Sequence, residues 1–176
     1  SSSIKFALYR SQHGLDQVLS GKLDRVGLSG TTLSWHGTGK DEPEGRHDLP
    51  DGADSAEYLF QWLWSRPEMI DVAAVGHRIV HGLGRTEPVL VSTSVIEDLH
   101  RARPFAPEHM PLEIHLIERL LTTQPDLPQV CCFDTAFHAR MPRVATVLPI
   151  PRRYYAKGVR RYGFHGLSYA YLVEEL

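Results

Sequence analysis

Two apolar, β-branched runs constrain this chain most. Residues 72–81 and 130–133 each read as a strand buried on both faces, and each gives way to polar residues that a core would not keep idle. The first run contains Gly76-His77-Arg78-Ile79-Val80-His81-Gly82. The second leads into Phe133-Asp134-Thr135-Ala136-Phe137-His138. A third segment of the same character, Arg160-Arg161-Tyr162-Gly163-Phe164-His165-Gly166, stands before the last helical pattern. Buried strands need helices on both sides, so the second half of the chain reads as alternating strands and helices.

The first half reads differently. Ile4, Phe6 and Leu8 alternate with Lys5, Ala7 and Tyr9, the period of a half-buried strand. Further short strands are expected around 17–19, 25–28 and 32–35, making a small antiparallel meander, followed by an exposed loop over 37–54 rich in Gly, Pro, Asp and Glu. Ser55 is placed to cap a helix carrying Leu59, Phe60, Trp62, Leu63 and Met69, with Pro67 a possible earlier stop. Beyond the strand at 72–81, helices are expected from Ser94 to about Ala102 and from Pro111, with Leu112, Leu116, Leu120 and Leu121 on one face until Pro125. A strand over 144–150 and a helix from Gly166 to the end complete the pattern, with no internal repeat. This order describes an α/β or α+β domain.

With 176 residues, 42% of them hydrophobic, the chain can bury a good core. A formal charge of −2 with both signs interspersed gives no nucleic-acid footprint, and no apolar run approaches the ~20 residues needed to span a membrane. The two cysteines, Cys131 and Cys132, are adjacent and cannot bridge without strain. They read as reduced core residues of a cytoplasmic protein rather than a redox pair.

The three polar segments carry the chemistry. On a strand, Arg78 and Val80 share a face, and a guanidinium beside a small aliphatic suits a short carboxylate, head and tail. Arg78 in a structural salt bridge is the competing reading. His77-x-x-x-His81 has a zinc-protease spacing, but it lacks the glutamate and falls on a strand. Asp134 stands where a buried strand opens towards a cleft; alternatively it caps a turn with Thr135. His165, with Gly166 beside it at a helix start, can donate to an anion together with free backbone amides, or can serve only as a helix cap. Arg160 and Arg161 read as structural or exposed.

Together these segments resemble the acetate kinase family, and with Ser1-Ser2-Ser3-Ile4-Lys5-Phe6 the resemblance covers nearly the whole chain. It implies the α/β, ribonuclease-H-like fold of the sugar kinase, heat-shock ATPase and actin group, a mixed sheet with flanking helices. It further implies that residues 1–176 are the N-terminal one of two such domains, cut at both ends. The implied reaction is reversible phosphoryl transfer from ATP to acetate or a related short-chain carboxylate, with Mg2+, giving ADP and an acyl phosphate. By that resemblance Asp134 and His165 are catalytic, Arg78, Val80, His109 and Phe164 hold the substrate, and Lys5 and Ser1 to Ser3 lie near the ATP phosphates. The family's magnesium-site asparagine would precede Ser1, so no metal ligand is assigned. A cytoplasmic homodimer acting on small molecules, with neither nucleic acid nor membrane as partner, is implied for the full-length protein. Four positions depart from the pattern: Leu83 for glycine, Glu108 for leucine, Met110 for asparagine and Tyr169 for histidine. They alter the pocket wall and keep the reactive residues. Two rival readings are a catalytically inactive ATPase-fold binding or regulatory module, and a metal-dependent hydrolase built on the ten histidines.

Overall fold

The structure, a computed structural model, describes residues 3–12, 14–37 and 44–176. The chain divides into two compact units, Ser1–Val72 and Ala73–Leu176.

In the first unit, β1 (Ser3–Arg10), β2 (Asp16–Asp24), β3 (Thr32–Gly37) and β4 (Gly45–Asp48) form an antiparallel meander in chain order. One face is apolar: Leu19, Leu23 and Leu33 are fully buried, with Ile4, Trp35 and Leu49 beside them. Helix α1 (Ser55–Trp64) buries Ala56 and Leu59, and its Trp62 ring packs 4.8 Å from Trp35 and 5.7 Å from Phe6. The helix cap is Asp54, not Ser55: its Oδ1 accepts from the N–H groups of Ala56 and Glu57. α1 ends at Trp64, and Pro67–Met69 forms a separate 3-10 turn. The strand expected at 25–28 is instead a turn, with Arg25 and Gly27 at positive φ and the Thr31 hydroxyl between the carbonyls of Arg25 and Leu28. Strand β4 lies inside the stretch read as loop, paired to β3.

The second unit holds a mixed sheet of order β5 (Val75–Ile79), β7 (Gln129–Phe133), β6 (Val89–Leu90), in which β5 runs parallel and β6 antiparallel to β7. Helices α2 (Thr93–Ala102) and α3 (Met110–Thr123) pack on each other, and α3 packs on β5. Ser92 caps α2 by accepting from the Val95 N–H. The core joins Ile79, Val95, Leu99, Ala102, Met110, Ile114, Ile117, Cys131 and Phe133. α3 therefore buries a face through Ile114 and Ile117 rather than Leu112 and Leu116, and Leu120 belongs to it as expected. Cys131 and Cys132 are both free thiols, and burial pushes Cys131 up to about 11.

The strand expected over 144–150 does not form. Arg143–Thr146 is a short helix, α4, and α5 (Arg152–Ala156) follows. Pro149 removes an N–H donor that a ladder there would need, and Pro151 follows directly. α6 (Gly166–Glu175) closes the chain as expected. The result is an α/β arrangement, a mixed sheet with flanking helices, and among the described residues no helix is long and apolar enough to cross a membrane.

Candidate active site

Parallel pairing sets the site. β5 and β7 run in register, Arg78 against Cys132 and Ile79 against Phe133, so their carboxyl ends finish at one edge. The Asp134 N–H adds a further bond to the Ile79 carbonyl at 2.9 Å and brings its side chain beside Arg78. Arg78 Nε donates to both carboxylate oxygens at 3.1 Å, and Nη2 donates to Oδ2 at 2.8 Å. Asp134 is wholly buried while the Arg78 side chain is 55% exposed. The hydrogen bonds that Arg78 donates to Asp134, ahead of the Asp134 charge, hold the guanidinium ionised even more firmly than usual. Arg78 is thus in a salt bridge and also presents a free edge: among the described residues Nη1 has no protein partner.

α6 delivers the third group. The Gly166 N–H donates to the Asp134 carbonyl at 2.9 Å, an approach that only glycine permits, since a Cβ there would lie 2.2 Å from that oxygen. His165 precedes it in the left-handed region at φ 58°, a conformation that costs a non-glycine residue about 1 kcal/mol or more. Its Nδ1 lies 3.3 Å from Arg78 Nη2. Arginine can only donate, so Nδ1 accepts and the ring hydrogen sits on Nε2, which becomes a donor at the exposed mouth of the cluster.

Two residues fix the backbone after β5: Glu113, which sequence reasoning missed, and Thr135, expected only to share a turn cap with Asp134. Glu113 Oε2 accepts the Val80 N–H at 3.1 Å, and Thr135 Oγ1 accepts the Gly82 N–H at 3.1 Å. Burial, together with the Asp134 charge, raises Glu113 to about 7 against the opposing pull of the Val80 N–H and Arg78. The helical period held the signal: position 113 falls on the face of Met110, Ile114 and Ile117, where a carboxylate is out of place.

The remaining candidates divide. Val80 is half-buried at the strand end, and Phe164 is exposed, with its carbonyl accepting from His138 Nε2 at 3.0 Å. His109 is half-buried at the start of α3, the end that reaches Val80 through Glu113, but makes no hydrogen bond to Arg78, Asp134 or His165. Lys5 belongs to the other unit, exposed on β1 opposite Lys22. Ser1 and Ser2 lie outside the described residues, and Ser3 opens β1. A hollow of about 430 Å3 at Arg78 is lined by Leu167, Ser168, Tyr171 and Leu172, four α6 residues that the motifs did not flag.

Among the altered positions, Glu108 faces solvent and Met110 is buried in the core. Leu83 sits at φ 55° and donates its N–H to His81 Nδ1, while Tyr169 stacks on Phe137. Arg160 lies over the Tyr162 ring and Arg161 is exposed. His77 pairs with Gln129 and His81 stacks on Phe105, and burial lowers the basicity of both. Among the described residues no group of three or more His, Cys, Asp and Glu is arranged to hold a metal ion. Arg78 and His165 suit an anionic phosphoryl or carboxyl group, whereas Asp134 is wholly buried against Arg78 and does not face a metal ion.

The acetokinase family model matches residues 1–176. Acetate kinases of Methylocella silvestris and Rhodopseudomonas palustris are each 40% identical across 100% of this chain, which covers 46% of either protein. A solved propionate kinase from Francisella tularensis superposes with a TM-score of 0.87 at 29% identity, over 99% of this chain and 45% of its own. Porphyromonas gingivalis acetate kinase gives 0.80 at 30% identity, over 96% and 44%. The chain thus spans somewhat less than half the length of these relatives, and its fold is the expected ribonuclease-H-like α/β fold. Matched over all its residues, this chain belongs to the acetokinase family and corresponds to the N-terminal part of its members.

Proposed function

We propose that the complete protein carrying this chain is a carboxylate kinase, forming an acyl phosphate and ADP from a short-chain carboxylate and ATP, reversibly, with residues 1–176 as its N-terminal domain. The observation that carries this reading is the cluster of Arg78, Asp134 and His165 at one sheet edge, a fixed cation and a ring N–H donor side by side. Arg78 holds the carboxylate through its free edge, and Asp134 fixes the plane of the guanidinium so that little freedom is lost on binding. His165 Nε2 donates to the equatorial oxygens of the transferring phosphoryl group, where charge must be stabilised in an in-line transfer. Val80, Phe164 and His109 contribute to the wall around the substrate, and Lys5 to the nucleotide phosphates. Magnesium bound to the nucleotide would supply charge neutralisation at its phosphates, and among the described residues no cluster is placed to hold it. The reading extends to a cytoplasmic homodimer acting on small molecules.

Trapping acyl phosphate as hydroxamate tests it in the complete protein, with acetate, propionate, butyrate and longer or charged acids. Turnover is expected with at least one short acid. Arg78→Ala should raise that acid's KM and lower kcat, a combined loss of roughly 10- to 150-fold. His165→Ala should lower kcat by about 10²-fold with KM values nearly kept. Binding of nucleotide and acid without any acyl phosphate would instead identify an inactive binding module.

A further inference from the structure

Glu113 is a half-buried carboxylate that the reaction described above does not use. It stands on the first turn of α3 with its Oε2 on the Val80 N–H, two residues from Arg78 on the same strand end. Arg78 from β5 and Asp134 from the turn after β7 act on it directly, and Cys131 of β7 faces it as a neutral thiol. On α2, Asp98 is held by Arg85 and Arg101, and His100 by Glu118 of α3. On α3 itself His109 lies one turn earlier, and His115, Glu118 and Arg119 lie further along.

We propose that Glu113 is the positioning and charge-setting residue of this site: it anchors the backbone that aims Arg78, and its proton decides how well an anionic carboxylate binds there. The inference rests on the carboxylate-kinase reading for the ligand it names. Arg78 and Asp134 cancel, so the floor of the site carries one negative charge when Glu113 is ionised and none when it is protonated. An incoming carboxylate is repelled by the ionised form and favours the protonated one, so binding takes up a proton. Desolvation pushes the Glu113 carboxyl up to about 7, which brings this linkage into the physiological range. The sign is definite: affinity falls as pH rises through neutrality, and a bound anion pushes the Glu113 titration to still higher pH.

The experiment measures acetate Kd and KM for the complete protein from pH 6 to 8.5. Both are expected to rise about tenfold across that range in the wild type, the effect of one charge at short range in a partly screened site. Glu113→Gln should flatten the slope and hold affinity near its acid value, whereas a merely structural role would change stability and leave the slope intact. Should Glu113→Gln fail to fold, carboxyl-13C NMR of the wild type decides the matter: Glu113 should titrate near neutrality and move upward with acetate. An ordinary carboxylate titration, a flat wild-type profile, an unchanged slope in Glu113→Gln, or no acetate binding at either pH would each overturn the proposal. Acetate binding with the slope but no acyl phosphate from any acid would sink the kinase reading and leave this linkage standing. Acyl phosphate formed with a pH-independent acetate KM would do the reverse.

Discussion

The two units hold their charges in opposite ways. In the first, Lys22 and Asp24 pair at 2.8 Å with both side chains 40–50% exposed, on a meander whose polar residues face water. In the second, Arg78 and Asp134 pair at the same distance, but one partner is wholly buried and a histidine completes the cluster. Coulomb's law is the same in each; the solvent differs. An exposed pair is screened and contributes almost nothing to stability, while a buried carboxylate must be matched and therefore fixes the geometry of whatever matches it. Antiparallel strands on a half-open sheet spread their polar groups across a surface. Parallel strands bring theirs to one end.

Removing the acids should separate the units most sharply. Asp134→Ala removes the buried partner of a half-exposed pair and releases Arg78, so we expect a loss of about 1–3 kcal/mol in urea unfolding and a severe fall in kcat/KM of the complete protein. Asp24→Ala should leave both unchanged within error. Equal losses from the two substitutions would erase the distinction.

Matched steric insults sharpen it next. Gly21→Ala puts a Cβ 2.6 Å from the Ser34 carbonyl, and Gly166→Ala puts one 2.2 Å from that of Asp134. Each should cost about 1–3 kcal/mol. Only Gly166→Ala should also displace His165 and lower kcat, by tenfold or more, in the fraction that remains folded.

The pH dependence of stability is smaller and signed. Folding raises the Glu113 titration to about 7, so the native state holds a proton that the unfolded chain has released. Stability associated with this group is full below the ordinary glutamate range and is lost as pH rises through about 7. Glu113→Gln should therefore nearly match the wild type in thermal unfolding at about pH 4, below the ordinary glutamate range, and exceed it by about 1–3 kcal/mol at about pH 8. A gain that is equal at both pH values would mean that the carboxylate titrates normally.

The smallest effects concern positive φ. Arg25 in the first unit and Leu83 in the second hold φ 58° and 55°. Arg25→Gly relieves about 1 kcal/mol of strain at an exposed turn, offset by the loss of its Nε bond to the Ser29 carbonyl. Leu83→Gly relieves the same strain but surrenders contacts with the core, and both should shift Tm by only a few degrees.

Much of this was legible beforehand. Alternation marked β1, the β-branched runs marked β5 and β7, and the three motifs marked the residues that the structure gathers, because period and composition report burial directly. The misses share a cause. Residues 144–150 have the composition of a strand yet carry Pro149 where a donor is needed, and counting leucines misplaces the face of α3, whose isoleucines pack inward. Glu113 was overlooked for the same reason, since a polar residue on a helix is read as exposed until its face is known.

The sequence by itself determined the strand periods, the helix at Gly166, and the presence of an arginine, an aspartate and a histidine suited to anions. Only the tertiary structure decided that Arg78 meets both Asp134 oxygens along one edge, that His165 turns Nδ1 towards Arg78, and that Glu113 lies half-buried beside them. Periodicity is a property of neighbours along the chain. Arg78 and Asp134 are 56 residues apart, and Arg78 and His165 are 87 apart. Their contact depends on strand register and on a glycine's missing Cβ, and these are fixed only when the whole core packs.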